Sequence, residues 1–341
     1  MNAVAAWRPP GSAGFSAPGR SGQDREPVWE RDMAAIVTSA LSKTYKVIGK
    51  AAVRSLRELD LEVAENEVFG FVGRNGAGKT TTIKLLCGLI HPTSGGAALF
   101  GEDIRRREAR RLVGYMPEQP YFYEYLTPRE TLAFYGRLRG LSAAQRQAQW
   151  DRVAGLLELE DIADRRIRGF SKGMRQRVGF AVALVGDPPL LILDEPMSGL
   201  DPIGRRMIRE AILRLRDEGK TIFFSSHVLS DVEELCDRIG MLVEGRLAHH
   251  GRVDDLPGRF MKDVEVSAEG LDSATAATLA ARATGHRQID QAYLFRVADL
   301  DAANALAKDI LAAGGRIREI QPVRESLDDF FARIQQKEAA K

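Results

Sequence analysis

Cysteine is almost missing from this chain: Cys87 and Cys236 are the only two in 341 residues. That is too few for a disulfide scaffold and fits a reducing compartment. Long apolar runs are lacking as well. Stretches such as Val178 to Val185 stop far short of the ~18 residues that span a bilayer, and the N-terminus has no apolar core of the kind a secretory signal needs. These absences predict a protein that is neither secreted nor threaded through a membrane. No charge of one sign dominates, with 49 Lys plus Arg against 47 Asp plus Glu and a net charge of +2. Nothing electrostatic therefore points to nucleic acid or an acidic membrane surface as the main partner. What is present, 44% hydrophobic and 28% charged residues, is the profile of an ordinary globular protein. The length is a prior for about two domains.

Pro, Gly and Ser dominate residues 1–32, whose middle reads WRPPGSAGFSAPGRSGQ. Such a segment buries too little apolar surface to offset its ordering entropy. It is expected to be a disordered tail, or an over-called translation start with Met33 as the true beginning. From 33 to 255, short apolar runs alternate with helical stretches. Val68 to Val72, Leu190 to Leu193 and Thr221 to Phe224 are β-branched or aromatic and bounded by turn or charge signals, which predicts buried strands; Ala35 to Ala40 is strand-like too. Asn66, just before Val68, suits a left-handed turn position. The alternation predicts an α/β domain with a largely parallel sheet. Leu256-Pro257-Gly258 is a breaker cluster, and residues 256–341 form a second unit. Strands are expected at Val264 to Ala268, Ala292 to Val297 and Arg316 to Pro322, and helices at Ser273 to Thr284, Ala302 to Ala313 and Leu327 to Ile334. That is a small α+β module. No internal repeat is present.

The strongest motif is GRNGAGKT, Gly73 to Thr80, after a predicted strand and ahead of an apolar helix expected at Ile83 to Leu89. Glycines let successive backbone N–H groups converge on phosphate oxygens, and the following helix aims its positive end at them. Gly73, Asn75, Gly76, Ala77 and Gly78 form the loop, and Thr81, just after it, is a further candidate for the nucleotide. Lys79 adds a point charge between terminal phosphates, and the Thr80 hydroxyl can ligate Mg²⁺. The pattern predicts nucleotide binding. LLILDEP, Leu190 to Pro196, ends an apolar strand in two carboxylates, placing Asp194 and Glu195 at the edge where open α/β sheets bind ligands. Asp194 would hold Mg²⁺ through its water shell. Glu195, on the other face by strand alternation, could polarise an attacking water.

Three further elements follow in order: FSKGMRQR from Phe170 to Arg177, SGLD from Ser198 to Asp201, and SSH ending at His227. With the phosphate loop and carboxylate strand, they resemble the signature motif, D-loop and switch histidine of the ATP-binding cassette (ABC) ATPases. The resemblance covers residues 35 to about 250. It implies a P-loop ABC cassette with a helical subdomain, followed here by the small C-terminal α+β module. It further implies a sandwich in which ATP on one subunit's phosphate loop is covered by the signature of another, Ser171 and the N–H groups near Gly173 facing the γ-phosphate. The family's roles map onto Lys79 and the loop amides for phosphates, Thr80 and Asp194 for Mg²⁺, Glu195 as catalytic base and His227 on the γ-phosphate. Asp201 would link the two sites across a homodimer, and Tyr45 matches the aromatic that stacks on adenine. One position departs from the common pattern: after Gly114-Tyr115-Met116-Pro117 the usual Mg²⁺-ligating glutamine is replaced by Glu118, with Gln119 next. Register favours Glu118 as the ligand.

The ungapped SKGMRQR, the Pro117-Glu118 element and the C-terminal appendage resemble the branch that drives separate, six-helix, type-two exporter permeases. ESLDDFF, Glu325 to Phe331, is similar to the "SLEDVF" close of that branch's terminal module. This implies a peripheral subunit on the cytoplasmic face of the membrane, working as a homodimer with two permease subunits and no nucleic acid. An importer ATPase is the alternative, although importers usually carry a true glutamine at position 118. A non-transport ABC ATPase is disfavoured. Ribosomal types carry two cassettes, and repair types insert a long coiled coil between phosphate loop and signature. Tyr121, Phe122, Tyr123 and Tyr125 put four aromatics into five positions, read either as a groove for a permease helix or in part as subdomain core. The arginine-rich runs Ile104 to Arg111 and Arg165 to Arg177 alternate with acids and read as solvated faces. For the C-terminal module, support of the dimer ranks ahead of regulation or simple packing. No residue reads the cargo.

Overall fold

The computed structural model describes residues 34–46, 49, 51–255, 261–324 and 330–334. The expected N-terminal tail, the breaker Leu256-Pro257-Gly258 and the first part of the Glu325 to Phe331 close lie outside the described residues. The chain opens on two long paired strands, β1 (Ala34–Tyr45) and β2 (Val53–Ala64). Next come β3 (Val68–Val72), α1 (Lys79–Leu86), β4 (Ser94–Leu99), β5 (Glu102–Asp103), α2 (Arg107–Arg111) and β6 (Val113–Met116). A helical segment follows, with α3 (Pro128–Leu138), α4 (Ala143–Leu156) and α5 (Lys172–Ala183). β7 (Leu190–Asp194), α6 (Pro202–Asp217), β8 (Thr221–Ser226), α7 (Leu229–Leu235), β9 (Arg238–Val243) and β10 (Arg246–Arg252) complete the first unit. The second contains β11 (Met261–Glu269), α8 (Ser273–Ala280), β12 (Gly285–Ile289), β13 (Ala292–Val297), α9 (Leu300–Ala312) and β14 (Arg316–Arg324).

The central sheet has the order β10-β9-β3-β8-β7-β6. Every pairing in it is parallel except the β10 edge. Parallel sheets need both faces covered, and the two-residue period of these strands supplies two cores. Phe69 and Phe71 of β3 join Leu190, Ile192 and Phe223 on one face, against α1 and the β1–β2 arm. Val68 and Val72 join Leu191, Leu193, Ile222 and Phe224 on the other, against α5, α6 and α7. On the first face Phe69 and Phe223 stack with centroids 5.7 Å apart and planes 2° apart. The helical segment is pinned by two capping boxes, Thr127 with Glu130 and Ser142 with Gln145, each satisfying two N–H groups at a helix start.

Some elements differ from the sequence expectation. The helix after the phosphate loop begins at Lys79 rather than Ile83, since Gly78 at φ 112° turns the chain into it directly. It ends at Leu86, before Leu89, because Gly88 sits at φ 62°. A second, antiparallel sheet, β2-β1-β4-β5, was foreseen only in Ala35 to Ala40. β12 was not foreseen, its five residues GHRQI being exposed and without apolar alternation. It completes a β-α-β-β-α-β unit with the order β12-β13-β11-β14, the ferredoxin-like arrangement. Asn66 does take the left-handed conformation, at φ 60°.

Gly114 of β6 has no room for a side chain. A Cβ there would strike the Ala183 carbonyl and lie 2.8 Å from Pro188 Cγ. Gly114→Ala is expected to destabilise the first unit by about 1–3 kcal/mol, as overpacking does, seen as a lower melting temperature by circular dichroism.

Candidate functional site

The parallel register brings four strand ends to one edge. Val72 pairs with Ser226, Asp194 with Ser225 and Met116 with Leu193. Gly73, His227, Glu195 and Glu118 therefore leave the sheet side by side. After β3 the chain turns through Gly76 at φ 84° and Gly78 at φ 112°, a conformation costly for residues with a Cβ. A Cβ at Gly78 would also strike the Ser55 carbonyl of β2. The loop is tied from behind: Gly245 N–H donates to the Ala77 carbonyl (2.9 Å), and Arg57 N–H to that of Gly245 (2.7 Å). Thr81 Oγ1 lies 2.8 Å from Ser55 Oγ.

Lys79 opens α1 with its side chain almost wholly buried. Its Nζ donates to the Gly73 carbonyl at 2.6 Å and lies 3.2 Å from Glu195 Oε1. A buried ammonium needs such partners. Glu195 Oε1 is itself buried and makes no aligned hydrogen bond, so its tie to Lys79 is an ion pair. Glu195 Oε2 lies 2.8 Å from His227 Nδ1. An ionised carboxylate only accepts, so Nδ1 carries the shared proton. Glu195 stands past the end of β7 at φ 52°. The left-handed backbone, rather than strand alternation, aims its side chain, at roughly 1–3 kcal/mol of local strain.

Ser225 holds both carboxylate residues. Its Oγ donates to Asp194 Oδ1 at 2.7 Å and accepts from Glu195 N–H at 3.0 Å. Asp194, 1% exposed, lies beneath the cleft. Burial first, and the Asp194 charge second, hold the Cys87 thiol far above its usual range, so it stays neutral. Burial likewise raises Asp231 of α7, against the pull of Arg205 and Arg209.

Of the candidate residues, Asn75, Gly76, Gly78, Lys79, Thr80, Thr81, Glu118, Glu195 and His227 line one cleft of about 370 Å³. Gly73 and Ala77 line adjoining hollows. Tyr45, at the end of β1 with Lys43 Nζ 5.3 Å from its ring centroid, does not line the cleft, and neither does Gln119. Ser171, Gly173 and Asp201 stand apart, around a second cleft of about 470 Å³ beside the 79%-exposed Ile203. Ser171 Oγ caps α5 by accepting from Met174 N–H (3.3 Å), and Asp201 caps α6 by accepting from Gly204 N–H (2.7 Å). One chain thus holds two separate clefts and does not bring their residues together. The aromatic cluster divides three to one: Phe122 is core, whereas Tyr121, Tyr123 and Tyr125 are exposed, Tyr121 at 86%. Both arginine-rich runs pair at the surface, Arg105 with Asp103 and Arg175 with Glu124.

Ser55, Arg74 and Ser198 line the main cleft although the sequence did not single them out. Arg74 and Ser198 lie within quoted motifs, as does Ser225. Ser55 carries no local signal, because antiparallel pairing places it. The donor set fits a polyphosphate, with loop amides, the Lys79 ammonium and several hydroxyls lining the cleft beside carboxylates. The oxygen donors Thr80, Glu118 and Asp194 suit a hard cation. Among the described residues no group of three His, Cys, Asp or Glu could hold a metal by itself. Mg²⁺ fits such a sparse set because it keeps waters and is held largely by substrate phosphates.

The profile of the ABC transporter family matches residues 56–198. An uncharacterised ABC transporter ATP-binding protein of Synechocystis sp. is 39% identical over 311 residues, 87% of this chain and 84% of the relative. The bacitracin transport ATP-binding protein BcrA of Bacillus licheniformis is 36% identical over 303 residues, 88% of this chain and 96% of the relative. Among solved structures, that of dimeric MJ0796, a bacterial ABC transporter cassette, superposes with a TM-score of 0.60 at 25% identity, over 65% of this chain and all of that one.

Removing the Ser225 hydroxyl leaves the Asp194 carboxylate and the Glu195 N–H without their buried partner. Ser225→Ala is therefore expected to cost about 1–3 kcal/mol, measured as a shifted urea midpoint.

Proposed function

The chain belongs to the ATP-binding proteins of ABC transporters, and on that footing we propose that it powers export through separate permease subunits by ATP-driven pairing of two copies. The observation that carries this reading is the separation of the two clefts. The cleft holding Lys79, Glu195 and His227 lacks a cover, and the cleft holding Ser171, Gly173 and Asp201 lacks a phosphate loop. Two copies placed head to tail would complete two sites. The helix starts capped by Ser171 and Asp201 then supply positive ends to the facing phosphates.

In this reading the loop from Gly73 to Thr81 and Lys79 bind the phosphates, and Tyr45 stacks on adenine. Mg²⁺, held by Thr80, Asp194 and Glu118, would neutralise charge between phosphates when bound. Phosphate draws the Lys79 ammonium from Glu195 Oε1, freeing that oxygen to accept a proton from water. The water oxygen bonds to the γ-phosphorus as the bond to the β-phosphate bridge breaks, giving ADP and phosphate. His227 orients Glu195 through its Nδ1–H and meets the γ-phosphate. Closure is driven by the higher ATP affinity of the closed state.

Export is favoured over import by the likeness to a bacitracin transport protein over 88% of this chain and 96% of that one, and by Glu118 in place of glutamine. The exposed Tyr121, Tyr123 and Tyr125 suit a permease helix, since surface aromatics mark interfaces. A peripheral position on the cytoplasmic face follows. Among the described residues no helix is long and apolar enough to cross a membrane.

The test of the transport reading is affinity capture of the tagged chain from detergent-solubilised membranes. A multi-helix permease supports it, and ribosomal or DNA-bound partners without one would overturn it. Glu195→Gln should bind ATP yet lose turnover by roughly a hundredfold, as loss of a general base does; near-normal hydrolysis would remove Glu195 from that role. With ATP that variant should elute as a dimer, whereas Glu195→Gln combined with Ser171→Arg should stay monomeric.

A further inference from the structure

The last described residues return to the cassette. β14 ends at Arg324 on the C-terminal sheet, yet residues 330–334 are helical and pack on the main core of the first unit. Phe330 is 3% exposed and shares that core with Val232, Leu235 and Val253. Its ring meets His249 of β10 edge-on, with centroids 5.2 Å apart and planes at 82°. The Arg333 guanidinium lies 5.2 Å from the same ring's centroid. Phe330 is thus an anchor, fixed by burial, an aromatic contact and a cation–π contact.

Its neighbour Phe331 is partly buried against the same core and forms one wall of a cavity of about 360 Å³. The other walls are Gly73, Arg74 and Asn75 of the phosphate loop, with His227 and Leu229. The far end of the chain therefore delivers an aromatic ring to the flank of the nucleotide cleft. His227 is lightly held, with its side chain 47% exposed and its ring hydrogen-bonded to Glu195. The helix behind it, α7, has Val228 at its N-cap and no side-chain cap. The room into which the imidazole can turn is set by the walls of that cavity.

We infer that Phe331 is a positioning residue for ATP hydrolysis: anchored through Phe330, it closes one side of the space beside His227 and couples the C-terminal module to turnover in the same chain. The inference rests on the reading of Glu195 and His227 as the hydrolytic pair. With the ring in place, the imidazole has less room to swing from Glu195. Phosphate binding, which falls to Lys79 and the loop amides, is untouched.

The full chain carrying Phe331→Ala or Phe331→Leu is assayed for ATPase activity across ATP concentrations, with melting temperatures and Glu195→Gln in parallel. Alanine should lower kcat by about tenfold and leucine by about threefold, KM staying within about twofold, because misplacing a catalytic group costs rate rather than binding. Melting temperatures should fall by a few degrees at most, leaving both variants folded at the assay temperature. Wild-type kcat in both variants overturns the inference, as does a loss that follows the unfolded fraction or appears in KM alone. If the alanine variant does not fold, leucine decides by the same criteria. A Glu195→Gln variant that still turns over overturns the reading of the site instead, so the two failures are distinguishable.

Discussion

The parallel register of β3, β8, β7 and β6 is the constraint on which the site depends. Parallel strands share a direction, so their carboxyl ends lie on one edge and the loops leaving them converge. Phosphate loop, His227, carboxylate pair and Glu118 come from distant stretches of chain, and each leaves the sheet within a residue or two of a register pair. The register in turn rests on two cores. Alternate residues of β3, β7 and β8 fill opposite faces, so a slip by one residue would exchange the cores and misalign every loop.

Within that frame the charged groups of the cleft hold one another. Lys79 balances Glu195, Glu195 orients His227, and Ser225 fixes the backbone and carboxylate beside them. The strained backbone at Glu195 is tolerated because this network over-determines it. Lys79 is the group that restrains Glu195 Oε1 in this arrangement. One short segment borders both of the separate clefts. Lys172 of α5 reaches Ser198 Oγ at 3.4 Å, so the segment from Ser198 to Asp201 touches the main cleft at one end and the signature cleft at the other.

Much of the site was legible because its chemistry is local. Phosphate-loop glycines, a strand ending in Asp-Glu and a serine at a helix start each act within a few residues, so the motif carries the physics. Partners supplied across the sheet were not legible. Ser55 reaches the cleft through the β1–β2 arm, whose pairing is antiparallel and bulged. The aim of Glu195 comes from a left-handed turn that strand alternation does not forecast. β12 escaped notice because an exposed edge strand needs no apolar period.

By itself the sequence determined the family, the α/β order of the first unit and the candidate residues of the site, because these follow from motif, period and side-chain chemistry. The tertiary structure decided which of them meet. It placed Lys79, Glu195 and His227 in one cleft and Ser171, Gly173 and Asp201 in another, and it brought Phe331 back beside the phosphate loop. Such juxtapositions join residues far apart in the chain, and only the packing of a folded core sets distances of that kind.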